Sequence, residues 1–229
     1  MQRQVIPTSD GSHTVSVPEL NVTYHSIHGA IQESMHVFIQ AGLEYVMQKV
    51  DKNETIHIFE MGFGTGLNAF LTAIEAEKQQ RKILYTAVEL YPLSNDEIEF
   101  LNYKDALGQP NLFHQLHQVA WNETIPITDY FTLIKQQVNL TDFQSEQRFH
   151  LVYYDAFAPN AQPELWTKEI FEKLYNMMLS GGVLVTYCSK GDVRRAMLAA
   201  GFEVEKIPGQ PRKREMLRAT PSHLGAGVA

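Results

Sequence analysis

Thr55-Ile56-His57-Ile58-Phe59-Glu60-Met61-Gly62-Phe63-Gly64-Thr65-Gly66 reads as a β-branched, apolar strand running into a turn with glycine at every second position. Leu67 to Gln79 follows with helical periodicity, so the stretch is strand, glycine turn, helix. Further short apolar strands lie at Ile83 to Glu89, Phe149 to Asp155 and Val183 to Cys188, with Leu112 to Val119 as a weaker candidate before a polar excursion of about thirty residues. Helices are expected at Gln32 to Val50, after the capping box Ser94-Asn95-Asp96-Glu97, at Lys168 to Leu179 with Gly181-Gly182 as its stop, and after Ser189. Alternating βα units imply a mostly parallel sheet with helices on both faces. Phe202 to Ile207 and Glu215 to Ala219, with no helix between them, predict an antiparallel edge hairpin, giving seven strands in all. The alternation at Thr14 to Val17 and Leu20 to Tyr24 predicts a small N-terminal β-hairpin with Pro18 near its turn. Residues 1–50 are therefore read as an extension packed on the core, 51–220 as the main domain and 221–229 as a flexible tail.

The chain has 229 residues, 44% of them apolar, enough for one sizeable core. A lone cysteine, Cys188, rules out an internal disulfide and a multi-cysteine zinc site. The loosely spaced histidines His25, His28, His36, His114 and His117 carry no metal-ligand pattern, so no metal is expected. No long apolar run and no signal-peptide core are present, so a cytoplasmic protein without a membrane partner is expected, and the Asn-x-Thr triplets are chance matches. Net charge is −7, against a broad nucleic-acid-coating surface. From Gly181 onward, however, eight Lys/Arg face four Asp/Glu, a local excess that suits an anionic partner.

The turn is G-x-G-x-G, not the G-x-G-x-x-G of dinucleotide sites, and no Gly-Lys-Ser/Thr of a P-loop occurs in it. Gly62, Gly64 and Gly66 let the backbone approach a ligand that is not strongly anionic. Glu60, before them, suits an ammonium group, and Glu89, closing the next strand 23 residues after Gly66, suits a ribose diol. S-Adenosylmethionine presents an ammonium, a ribose and no phosphate. Asp155 ends the fourth strand on the same sheet edge and can orient an amine and take up its proton, a role set by its reach and proton affinity. Tyr154, Phe157 and Trp166 beside it could stack a flat base.

Taken together, Phe63-Gly64-Thr65-Gly66-Leu67-Asn68, Asp155-Ala156-Phe157-Ala158-Pro159 with Pro163-Glu164-Leu165-Trp166, and Lys213-Arg214-Glu215-Met216-Leu217 resemble the tRNA 5-methylaminomethyl-2-thiouridine methyltransferases. Gly29 to Phe38 also fits, and the likeness runs from about Tyr24 to Thr220. It implies a Rossmann-like class I methyltransferase fold that methylates the aminomethyl nitrogen of a modified wobble uridine. By that resemblance Asp155 is catalytic, Glu60, Gly62, Gly64, Gly66, Asn68, Glu89 and Glu33 hold S-adenosyl-L-methionine, and Phe157, Trp166, Lys213 and Arg214 meet the tRNA anticodon arm. Many relatives carry a fused flavin-dependent oxidase; this chain looks like the stand-alone form, so no FAD and a separate upstream oxidase are expected. The family's Gly-Asp pair after the third strand is replaced here by Gln118-Val119-Ala120-Trp121-Asn122, which leaves the adenine contact open. Two rival readings are a transferase acting on a small-molecule amine and a non-catalytic scaffold. An aminopropyltransferase would want an acid at position 158, which is alanine, and a scaffold has no need to keep Asp155 and the three glycines.

Overall fold

The computed structural model describes residues 2–210 and 213–222. A small antiparallel sheet of β1 (Gln4–Pro7), β2 (His13–Val17) and β3 (Val22–Thr23) precedes the main one, so the predicted hairpin gains a third strand, and a 3-10 turn at Pro18–Leu20 joins β2 to β3. The main sheet contains β4 (Ile56–Met61), β5 (Ile83–Val88), β6 (Thr124–Pro126), β7 (Phe131–Gln136), β8 (Phe149–Tyr154), β9 (Met178–Thr186), β10 (Phe202–Pro208) and β11 (Glu215–Pro221). Its order is β10-β11-β9-β8-β4-β5-β7-β6. The five central strands from β9 to β7 are parallel, β10 and β11 form the antiparallel edge hairpin, and β6 lies antiparallel on the other edge. Eight strands replace the expected seven because β6 adds a three-residue edge.

The chain steps outward from β4 through β5 to β7, then returns to β8 on the other side of β4. That reversal opens a crevice at the carboxyl ends of β4 and β8, where open α/β sheets bind ligands. Helix α1 (Ala30–Ser34), which continues as a π-helical stretch at Met35–Glu44 and a last turn at Tyr45–Met47, packs on one face with α2 (Leu67–Gln79). Helices α6 (Lys168–Met177) and α7 (Gly191–Ala199) cover the other. Between them in sequence come α3 (Asn95–Glu99), capped by Ser94 and Glu97 as predicted, α4 (Tyr103–Ala106) and α5 (Pro110–Gln118). Val15 of β2 lies in the same buried cluster as Phe63 and Tyr103, so the N-terminal sheet shares the main core.

Three local expectations are corrected. Leu112 to Val119 is helix, not strand: Pro110 sits at its first turn and Phe113 and Leu116 are its buried residues. The strand belongs to Phe131–Gln136, whose buried alternation Phe131, Leu133, Lys135 ends on a lysine and so looks polar. Gly181 and Gly182 do not stop a helix. The helix ends at Met177, and the glycines sit inside β9, where the pairing with β8 shifts register and a Cβ on Gly182 would stand 2.9 Å from the Leu179 carbonyl oxygen. Ser189 does not cap α7, which begins at Gly191 after Lys190 without a side-chain cap.

Gly42 lets the π-helical stretch lie close on the sheet: its missing Cβ would meet Val185 Cγ2 at 3.1 Å and Tyr153 Cε1 at 3.2 Å. Gly42→Val is therefore expected to lower unfolding free energy by about 1–3 kcal/mol through overpacking, read as a reduced denaturant midpoint at unchanged slope.

Candidate active site

The glycine turn leaves β4 with Gly62 and Phe63 each donating a backbone N–H to the Val88 carbonyl, at 3.0 and 3.1 Å. Gly64 and Gly66 hold φ of 51° and 72°, the left-handed region that side chains resist. A Cβ on Gly66 would also stand 2.8 Å from His117 Nε2, and one on Gly64 3.0 Å from Tyr24 Cδ1. The turn is thus gripped from behind by α5 and from above by the N-terminal sheet. Glu89 sits beside it: its Oε2 accepts from Gly64 N at 3.0 Å and its Oε1 from Tyr91 N at 2.8 Å.

Glu60 and Asp155 end adjacent parallel strands, and Asn68, on the first turn of α2, lies between them. Its Nδ2 donates to Glu60 Oε1 at 3.0 Å and to Asp155 Oδ2 at 2.9 Å. Burial holds the Glu60 carboxyl well above the usual carboxylate range, against the pull of the Asn68 amide. Burial also pushes Asp155 up to about 7; Glu33 adds to the rise, while Asn68 and Lys213 restrain it. Glu60 Oε2 and Asn68 Oδ1 are buried acceptors without a hydrogen-bond donor. Such orphans are costly unless a ligand supplies the missing N–H groups, and an ammonium has three.

Two cavities meet here. One, of about 310 Å³, is lined by the glycine turn, Asn68, Glu89, Leu90, Tyr91 and the segment Val138 to Thr141. The other, of about 530 Å³, is lined by β2–β3 residues, Glu33, Tyr187 and Lys213. Tyr24, His25, Asp155, Ala156 and Phe157 belong to both walls. Tyr24 and Phe157 meet edge to face with centroids 5.0 Å apart, forming part of the partition. Gly62, Gly64, Asn68 and Glu89 face the first cavity, while Glu60 lies fully buried behind Asn68. The residues fit S-adenosylmethionine: phosphate-free, with a diol partner in Glu89 and an ammonium-deficient acceptor pair at Glu60 and Asn68.

Other predicted residues are distributed differently. Glu33 lines the second cavity, and its carboxylate accepts from Ser26 N (2.6 Å), Gln210 Nε2 (2.6 Å) and Lys213 Nζ (3.1 Å). Lys213 is held there and over the Tyr187 ring at 4.6 Å, and both it and Arg214 are exposed. Trp166 is buried among Tyr154, Phe171 and Tyr187, and its Nε1 donates to the Phe157 carbonyl at 2.8 Å, so it supports the Asp155 segment from within the core. Arg195, Lys206 and Arg218 of the basic C-terminal part are each paired with an acid, and Arg212 lies outside the described residues. The stretch Gln118 to Asn122 stays away from the cavity, Trp121 packing on Phe63; the loop after β7, Val138 to Thr141, occupies that end instead. No local signal in the sequence marks this loop, because the buried Lys135 disguises β7, nor Tyr24 and Tyr187, which only folding brings to Asp155. Among the described residues no helix is long and apolar enough to cross a membrane, and no cluster of three metal-ligating side chains occurs.

A family model described as S-adenosyl-L-methionine-dependent methyltransferase matches residues 99–222, more than half of the chain. The tRNA 5-methylaminomethyl-2-thiouridine biosynthesis bifunctional protein MnmC of Aromatoleum aromaticum is 32% identical over 222 residues, 90% of this chain and 34% of that protein. Its counterpart in Leptospira borgpetersenii is 31% identical over 208 residues, 85% of this chain and 31% of its own. The chain thus spans about a third of the length of these curated relatives. The crystal structure of MNMC2 from Aquifex aeolicus superposes with a TM-score of 0.78 at 24% identity, covering 99% of this chain and 72% of that one, and shares the fold.

Gly66→Ala is expected to weaken S-adenosylmethionine binding at least tenfold, since it forces a side chain into the left-handed region, at about 1–2 kcal/mol, and against His117. Equilibrium titration of the cofactor checks this.

Proposed function

Because the chain belongs to the S-adenosyl-L-methionine-dependent methyltransferases, we propose that it N-methylates the aminomethyl group of 5-aminomethyl-(2-thio)uridine at the wobble position of tRNA. The observation that carries the reading is the position of Asp155 in the wall shared by both cavities. One chamber has the donors and acceptors suited to the cofactor; the other is wider and opens beside aromatic rings.

When bound, S-adenosylmethionine supplies a methyl group on a sulfonium centre open to in-line attack. Asp155 accepts a hydrogen bond from the acceptor nitrogen, turns its lone pair toward the first chamber and takes up the proton that nitrogen sheds. A carboxyl near neutrality suits this work better than an ordinary aspartate would, since it holds the proton without trapping it. Asn68 fixes the Asp155 carboxylate, and Trp166 fixes the following backbone at Phe157. Tyr24, Phe157 and Tyr187 offer ring faces and edges against which a splayed base can pack, as single-stranded RNA sites do. Arg214, exposed beside Lys213, is available to a phosphate, and Lys213 bridges Glu33 to the chamber. The relatives' names supply the tRNA and the modified uridine; the chamber chemistry supplies the amine.

Incubation with labelled S-adenosylmethionine and tRNA from cells blocked before this methylation should label the aminomethyl uridine. Cofactor binding without such label, or label in a small-molecule amine instead, sinks the tRNA reading. Asp155→Asn should reduce turnover at least a hundredfold with cofactor affinity within a few-fold. In the wild type kcat/KM for the cofactor should rise with pH through about 7 as Asp155 of the free protein ionises, because the carboxylate is the working form. Arg214→Glu should weaken tRNA binding and shallow its salt slope by about one; an unchanged slope would remove Arg214 from the interface.

A further inference from the structure

Resting on that reading, we infer that Glu60 and Asp155, bridged by the single Asn68 amide, share one proton while the cofactor chamber is empty, and release it when Glu60 and Asn68 take an ammonium partner. Asn68 is then a positioning residue that arms the base only in the presence of the methyl donor. The geometry is a row of three side chains: Glu60 Oε1, Asn68 Nδ2 at 3.0 Å, Asp155 Oδ2 at 2.9 Å. The amide has two N–H bonds and spends both, so it can satisfy one oxygen of each acid and no more. Its own Oδ1 and the second oxygen of Glu60 are left buried without donors. A fully buried carboxylate and a half-buried one held this close do not both ionise readily, and they titrate as a pair.

The surroundings favour retention of a proton. Around Glu60, burial and the charges of Asp155 and Glu89 hold the proton on, while the Tyr85 hydroxyl, like the Asn68 amide, pulls the other way. Glu33, Tyr85 and Tyr187 face Asp155, and among the groups acting on it Lys213 is the cation, itself engaged with Glu33. An ammonium brought against Asn68 at the chamber wall, with Glu60 directly behind it, supplies a missing donor and a positive charge, which stabilises both carboxylates in their ionised form. The displaced proton passes to solvent, Asp155 is left as the carboxylate, and it is free to accept the acceptor's proton. Without the donor in place, the acceptor meets a base already occupied.

The test is calorimetric titration with S-adenosylhomocysteine, which carries the same ammonium and cannot react. At pH 6.5, in phosphate and in Tris, the difference in apparent heat should correspond to release of about one proton per site. The affinity should rise with pH between 5.5 and 7, a range in which the ligand's own α-amino group remains protonated. Asp155→Asn should cut the release by more than half while the ligand still binds, and Asn68→Ser, which keeps a small polar group but cannot span both acids, should do the same. Binding heat that is identical in the two buffers, or proton release unaltered in Asp155→Asn, overturns the inference. Absence of any binding heat would overturn the cofactor assignment first, and this inference with it.

Discussion

A fully buried carboxylate and a half-buried one at the carboxyl ends of adjacent parallel strands, with one amide between them, constrain everything around them. Removing an ionised carboxylate from water costs several kcal/mol unless partners replace the lost hydration. Glu60 and Asp155 share a single amide, and nearby oxygens remain without donors. A core made only for stability would have replaced such a pair with apolar side chains. Keeping it sets the requirements for the neighbouring elements: a helix that starts at the right height to present Asn68, a glycine turn that clears the space, and a lining that admits a cation.

The turn meets the second requirement through contacts on both of its sides. His117 behind and Tyr24 above fill the volume that side chains on Gly66 and Gly64 would take. His117 Nε2 also bonds to the Thr65 carbonyl at 3.1 Å, and the carbonyl of His117 accepts from the fully buried Lys135 Nζ at 2.8 Å. Burial lowers the Lys135 ammonium to about 8, and the rings of Phe63 and Trp121 lie 5.3 and 4.8 Å from it. A polar residue on an inner strand therefore serves the turn rather than the solvent, which is also why β7 does not look like a strand.

Glu33 links the two ends of the chain. Ser26, from the segment leaving the N-terminal sheet, and Gln210 and Lys213, from the loop between β10 and β11, converge on its carboxylate. The second chamber is consequently built from parts far apart in sequence, and three basic residues of the C-terminal part are engaged with local acids, at Arg195–Asp192, Lys206–Glu215 and Arg218–Glu205. Exposed pairs of this kind add little to stability. On the proposed tRNA reading, recognition rests on a few groups at the chamber mouth.

The sequence by itself determined the βα alternation, the strand-turn-helix at Glu60 to Asn68, the acid at the end of β5, the Asp155 segment and the closing hairpin, because each is a local pattern of periodicity, glycine spacing and strand-end acids. It also carried the resemblance on which the substrate reading rests. Only the tertiary structure decided that Asn68 joins both acids, that Glu33 belongs with Lys213 in the second chamber, that Trp166 is a core support, and that Val138 to Thr141 closes the first chamber. Those facts depend on contacts between residues from eight to 180 positions apart, and on a lysine buried where alternation leads one to expect an apolar side chain. Local patterning fixes where a strand ends; which side chains meet there depends on how the strands are ordered in the sheet and on what the chain ends pack against.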